Sequence, residues 1–122
     1  MIVKKQNIKQ LLHSCYNKDE DKVKFNVNNT IHHEITKAVV AFILKQNKHS
    51  YFTEAIFANK KRADIFDITE EIAIEILNTE EEKDLIKKES YPVNIYSIKV
   101  TDEIKQKINE LEELIKKKLW GM

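Results

Sequence analysis

The chain has 122 residues, of which 42% are hydrophobic and 34% charged, with a formal net charge of +1. That size suits one domain built around one core, and the near-neutral balance excludes the bulk positive field of a strongly basic nucleic-acid binder. A single cysteine, Cys15, excludes an internal disulfide and a multi-thiolate zinc site, and no apolar run reaches the ~20 residues that span a bilayer.

The opening "MIVKKQNIKQLL" lacks the continuous apolar stretch of a secretory signal, which predicts an intracellular, cytoplasmic protein. Ile8, Leu11, Leu12 and Cys15 recur at helical spacing and predict a short first helix. In "KVKFNV", Val23, Phe25 and Val27 alternate, as in a short strand or an extended approach to the next element. From Thr30 to Lys45, Ile31, Ile35, Val39, Phe42 and Ile43 form the stripe of an amphipathic helix. On that helix Glu34 falls at the margin of the stripe, whereas Lys37 is angled farther toward solvent.

Residues 50–57, 62–68 and 71–77 are rich in aromatic and β-branched side chains, with short polar connections between them, and predict an antiparallel three-strand meander. Thr79 and Glu82 have capping-box spacing and predict a helix of about ten residues. "YPVNIYSIKV" is a fourth strand with its proline near the start, reached through that helix as a crossover. "TDEIKQKINELEELIKKKLW", about residues 102–120, is a last helix, with Ile104, Ile108, Leu111, Ile115 and Leu119 in a seam that covers the sheet or meets a second copy. The predicted class is an α/β sandwich: one domain over 1–122, a core over about 30–100, and a mixed four-stranded sheet flanked by helices.

Two strands carry a carboxylate among their apolar residues. If Thr69 and Glu70 make a two-residue loop, Phe66 pairs with Ala73 and Asp64 with Glu75. Like charges placed opposite one another destabilise a sheet unless a cation lies between them. A slipped register would bring Ile65 or Asp67 beside Glu75 instead. Two carboxylates suit Mg²⁺, which takes hard oxygen ligands and keeps several waters, and phosphodiester hydrolysis is the natural chemistry of such a pair. Glycoside hydrolysis would require a deep sugar cleft that so small a meander does not supply. If Ile56 pairs with Asp64, Glu54 lies diagonally beside Asp64. Lys60 and Lys61, at a hairpin tip, and Arg62 are placed to contact a phosphate backbone. The adjacent His32 and His33 sit about 100° apart on a helix, do not form the i,i+4 pair of a zinc helix, and read as N-terminal helix residues.

A helix with Glu34, a hairpin with Asp64, a next strand with Glu75, then a helix and a strand resembles the PD-(D/E)xK nuclease superfamily over about residues 30–100. "RADIFDITEEIAIEI" is similar to the pattern of divergent members, among them a competence-protein group and small archaeal or viral nucleases. The resemblance implies a restriction-endonuclease-like sandwich and cleavage of DNA, with RNA not excluded, in an Mg²⁺- or Mn²⁺-dependent reaction often carried out by a homodimer. Asp64, Glu75 and Glu34 match the metal-binding acids. One departure is clear: the signature lysine should lie two residues after Glu75, where this chain has Leu77. Lys83 and Lys87 are the nearest replacements by sequence, with Lys37 a further one. No membrane and no small-molecule cofactor is expected, and a virus or mobile element is a fitting source. The alternative is a nuclease-like binding or assembly module that has lost efficient chemistry.

Overall fold

The computed structural model describes residues 20–78 and 92–121. The expected helices over 2–15 and 80–90, with Lys83 and Lys87, lie outside them. Two helices and four strands follow in chain order: α1 (Ile31–Gln46), β1 (Tyr51–Ile56), β2 (Arg62–Asp67), β3 (Ile72–Leu77), β4 (Asn94–Lys99) and α2 (Asp102–Trp120). The strands form one mixed sheet in the order β1-β2-β3-β4, antiparallel through β3 and parallel between β3 and β4. A parallel pair cannot be closed by a hairpin, so β3 and β4 are not joined by a tight turn.

Local chemistry sets the boundaries. Thr30 caps α1 by accepting the His33 N–H, and Thr101 caps α2 by accepting the Ile104 N–H. Gly121, at φ +68°, ends α2 in the left-handed conformation that glycine adopts without Cβ strain, and its N–H returns to the Lys117 carbonyl. The β2–β3 connection is a four-residue turn over 68–71 in which Glu71 takes φ +60° and the Asp67 side chain accepts the Glu70 N–H at 3.1 Å. The two-residue loop is therefore not formed, yet the pairing keeps its phase, with Phe66 opposite Ala73 and Ile65 opposite Ile74. The extended approach near Val23 is not a ladder strand. Asp21 makes one backbone bond to Tyr51, and the Thr53 hydroxyl then bonds the Lys22 carbonyl and the Lys24 N–H in place of a backbone partner.

Apolar packing lies in two clusters. Phe52, Ala55, Phe57, Ala63, Phe66 and Ala73 form one, with the Phe57 and Phe66 rings edge-on at 5.4 Å and 74°. Ile65, Ile74, Ile76, Tyr51 and Val100 form the other, together with Ala41 from α1, and Val40, Leu44, Ile98 and Ile104 pack against it. The α1 residues in this cluster overturn the expected burial of that helix. Of the stripe expected to face the core, Ile31, Val39, Phe42 and Ile43 are exposed and Ile35 is half-buried, and the buried face carries His33, Glu34, Thr36, Lys37 and Ala41. The sequence "KAVVAFILK" is apolar on more than one side of a helix. The face bearing Val40, Ala41 and Leu44 packs on the sheet because the polar groups in line with it find partners there.

Phe66→Ala should cost about 3–5 kcal/mol in urea unfolding, whereas Phe42→Gln, on the outer face of α1, should stay within about 0.5 kcal/mol of the parent. Equal losses would mean that α1 packs by its Phe42 face.

Candidate functional site

The site stands where the buried face of α1 meets the middle of β1, β2 and β3. Lys37 has no exposed surface. Its ammonium lies 2.7 Å from Glu34 Oε1, one helical turn away, and 3.4 Å from Glu54 Oε2 on β1. A buried ammonium is tolerated only when such partners replace its water. Lys37 was expected to point toward solvent, and the inward turn of α1 is what reverses this. Glu34 is buried with it, as a residue at the margin of the inner face should be. Each Glu34 oxygen accepts from two groups, Oε1 from the Asn26 N–H and Lys37, Oε2 from the Asn29 amide at 3.1 Å and His33 at 2.6 Å. Burial alone would raise the Glu34 pKa, but these donors, Lys37 foremost, hold it below the usual carboxylate value.

His33 is the residue that spacing alone did not single out. Its ring is buried, with Nδ1 2.6 Å from Glu34 Oε2 and Nε2 3.3 Å from Asp64 Oδ2. Both ring nitrogens face carboxylate oxygens, and only the imidazolium can donate on both sides. Burial pulls the His33 pKa down, but the hydrogen bond and charge of Asp64, followed by those of Glu34, outweigh it and leave a net rise above the ordinary 6.5. One signal in the sequence could have found it: His33, Lys37, Ala41 and Leu44 recur at helical spacing on a single face.

Asp64 and Glu75 come together. The β2–β3 ladder runs in phase to Ile65 opposite Ile74. One step beyond, Asp64 Oδ2 accepts the Ile76 N–H at 2.7 Å, so a side chain continues the pairing where the backbone ladder stops. The Glu75 carboxyl lies beside it, near enough to act on the titration of Asp64. Burial pushes the Asp64 pKa upward, but His33, Glu75 and the Ile76 N–H reverse the direction and hold it below the ordinary value. Glu75 is 1% exposed, and β4 pairs alongside it with Ser97 opposite. Asp67, the slipped-register alternative, pairs with Ile72 and binds His49 at 2.9 Å, away from this cluster.

The first hairpin pairs Ile56 with Arg62, and not with Asp64. Glu54, flanked by the pairs Thr53–Ile65 and Ala55–Ala63, thus falls in line with Asp64 instead of diagonal to it. It has φ +52°, a left-handed backbone that is unusual for a non-glycine residue inside a strand and costs on the order of 1–3 kcal/mol. Its side chain lies between Lys37 and Arg62, the latter at 4.0 Å. Lys60, at φ +68°, and Lys61 are exposed at the hairpin tip, and the Arg62 side chain is half-exposed. Among the described residues no group of three His, Cys, Asp or Glu side chains is arranged to hold a metal ion, and no helix among them is long and apolar enough to cross a membrane.

No family model matches the chain, and no curated protein or solved structure matches it.

The raised pKa of His33 and the lowered values of Glu34 and Asp64 set a stability window. The histidine's contribution is complete below its unfolded value and fades as pH rises through the higher folded value; the carboxylates' contributions hold above their unfolded values and fade as pH falls through the lower folded ones. Urea unfolding should therefore show greatest stability between the carboxylate range and pH 6.5, declining above it, and His33→Gln should flatten the alkaline decline. An unchanged decline in that variant would place its origin elsewhere. Lys37→Met, which strands Glu34 and Glu54, should cost about 3 kcal/mol, read in the same titration.

Proposed function

We propose that the chain is a divalent-metal-dependent nuclease of restriction-endonuclease-like architecture, hydrolysing DNA phosphodiester bonds at the Asp64–Glu75 pair. The observation that carries this reading is the meeting of a half-buried carboxyl, Asp64, and a buried one, Glu75, on neighbouring strands one step beyond the Ile65–Ile74 pair. Nothing in core packing calls for such a pair, and a divalent ion would offset the repulsion between the two carboxylates. Two hard oxygen donors, with waters and a phosphate oxygen completing the shell, are sufficient for Mg²⁺ or Mn²⁺. When bound, the ion supplies positive charge at the phosphate and lowers the pKa of a water.

The chain's own residues divide the remaining tasks. Asp64 is held anionic and fixed in position by His33 and the Ile76 N–H. Glu34, counted among the metal ligands by resemblance, has both oxygens engaged by protein donors and serves to orient His33 and Lys37. Lys37 takes over the electrostatic part of the missing signature lysine by offsetting the acids around it, and because it is fully buried it acts without touching phosphate. Lys60, Lys61 and Arg62 grip the nucleic-acid backbone at the rim, which sets position and leaves sequence unread.

A second reading, a nuclease-like module that binds nucleic acid or assembles without cleaving, is favoured by Leu77 at the signature position and by the lack, among the described residues, of three His, Cys, Asp or Glu side chains arranged to hold an ion.

Single-stranded, duplex and junction DNA, with an RNA control, incubated with Mg²⁺ or Mn²⁺ separates the two. Cleavage by the parent, lost in Asp64→Asn and Glu75→Gln while circular dichroism is unchanged, is the expected result. Binding without cleavage in either metal would establish the second reading, and equal cleavage by the variants would remove the pair from the chemistry.

A further inference from the structure

α2 is longer than the domain needs. At about 100° per residue, Ile104, Ile108, Leu111, Ile115 and Leu119 share one helix face. The first two are used by the fold: Ile104 packs on the sheet cluster and Ile108 is 8% exposed. Farther along the same face, Leu111, Ile115 and Leu119 are 50%, 46% and 65% exposed. An apolar face half covered by its own domain and half open marks an interaction surface more than a solvated helix end.

We propose that this distal half of α2 pairs with the same segment of a second copy, antiparallel, about a two-fold axis at Ile115. Two observations select that occupant. The first is self-complementary spacing. Leu111 and Leu119 lie equally far in sequence from Ile115, so a two-fold axis there sets Leu111 against Leu119 of the second copy, twice, and Ile115 against itself. The second is charge. Glu110, Glu112 and Glu113 occupy the turn before Ile115, and Lys116, Lys117 and Lys118 the turn after it. Antiparallel pairing lays the acidic turn beside the basic one in both directions, whereas parallel pairing sets like beside like. The helix dipole accounts for lysines in the last turn, but its influence is confined to the first and last turns, and the acidic run lies in the interior of the helix. Glu112 and Lys116, already joined within one helix at 3.2 Å, border the apolar face and would close a four-charge cluster across the axis.

The pairing surface is small, so association should depend on concentration and weaken with salt. Sedimentation equilibrium of the full chain over a range of concentrations is expected to show a monomer–dimer equilibrium. Ile115→Glu, which sets two like charges on the axis, should give a monomer whose circular dichroism and melting temperature match the parent. Glu112→Lys and Lys116→Glu should each weaken self-association by roughly tenfold or more, and an equimolar mixture of the two should restore it as a mixed dimer. A parent that stays monomeric throughout, or a dimer unaffected by Ile115→Glu, would overturn the proposal. So would a monomeric parent whose Ile115→Glu variant melts earlier, since another part of the same chain would then cover this face.

Discussion

An ammonium group sealed from solvent constrains everything around it. Lys37 cannot be left uncompensated inside a domain of this size, because an isolated buried charge costs far more than the whole net stability of a small protein. Its two carboxylate partners come from different elements, Glu34 from the same helix and Glu54 from β1, so the ion pairs also fix how α1 lies across the sheet. From Glu34 the network passes through His33 to Asp64, and from Asp64 to Glu75 and the Ile76 N–H. One continuous chain of charge-assisted contacts thereby ties α1 to β1, β2 and β3. A purely apolar filling of the same space would be as stable or more so, so stability alone does not account for this many ionisable groups in one place.

The cluster also explains the orientation of α1. A helix with apolar residues on two sides can be laid down either way, and hydrophobic burial alone favours the side with more large side chains. Here that side, with Val39, Phe42 and Ile43, faces outward, and the side with His33, Glu34 and Lys37 faces in. Ala41 allows the close approach, and Val40 and Leu44 still bury apolar surface on the sheet. The polar groups are accommodated since nearly every donor and acceptor among them has a counterpart at hydrogen-bond distance. The left-handed backbone at Glu54 fits the same picture, as strain of this kind persists where surrounding contacts over-determine it.

The strands, the order of the meander, the parallel fourth strand and the phase that brings Asp64 toward Glu75 were legible in the sequence. Short polar connections bounded each apolar run, and the phase of the β2–β3 hairpin survived a turn longer than the one expected. The inner face of α1 was not legible by apolar periodicity, because a face that buries polar residues defeats a rule built on hydrophobic ones. His33 was accordingly read as no more than an N-terminal helix residue and Lys37 as angled toward solvent, although they share a face with Ala41 and Leu44. The register of the first hairpin was missed for a related reason: its turn, with Lys60 at φ +68°, has no glycine to announce it, and the count to Asp64 shifted by two.

If the Asp64–Glu75 pair is a divalent-ion site, as proposed, the Ile76 amide reports on it directly because its N–H donates to Asp64. Mg²⁺ titration of the ¹⁵N-labelled protein, followed through that resonance, is the most direct measurement. The account predicts a saturable shift of Ile76 at one ion per chain that disappears in Asp64→Asn. An Ile76 resonance that stays in place through millimolar Mg²⁺ and Mn²⁺, in a protein whose other signals attest an intact fold, would contradict it.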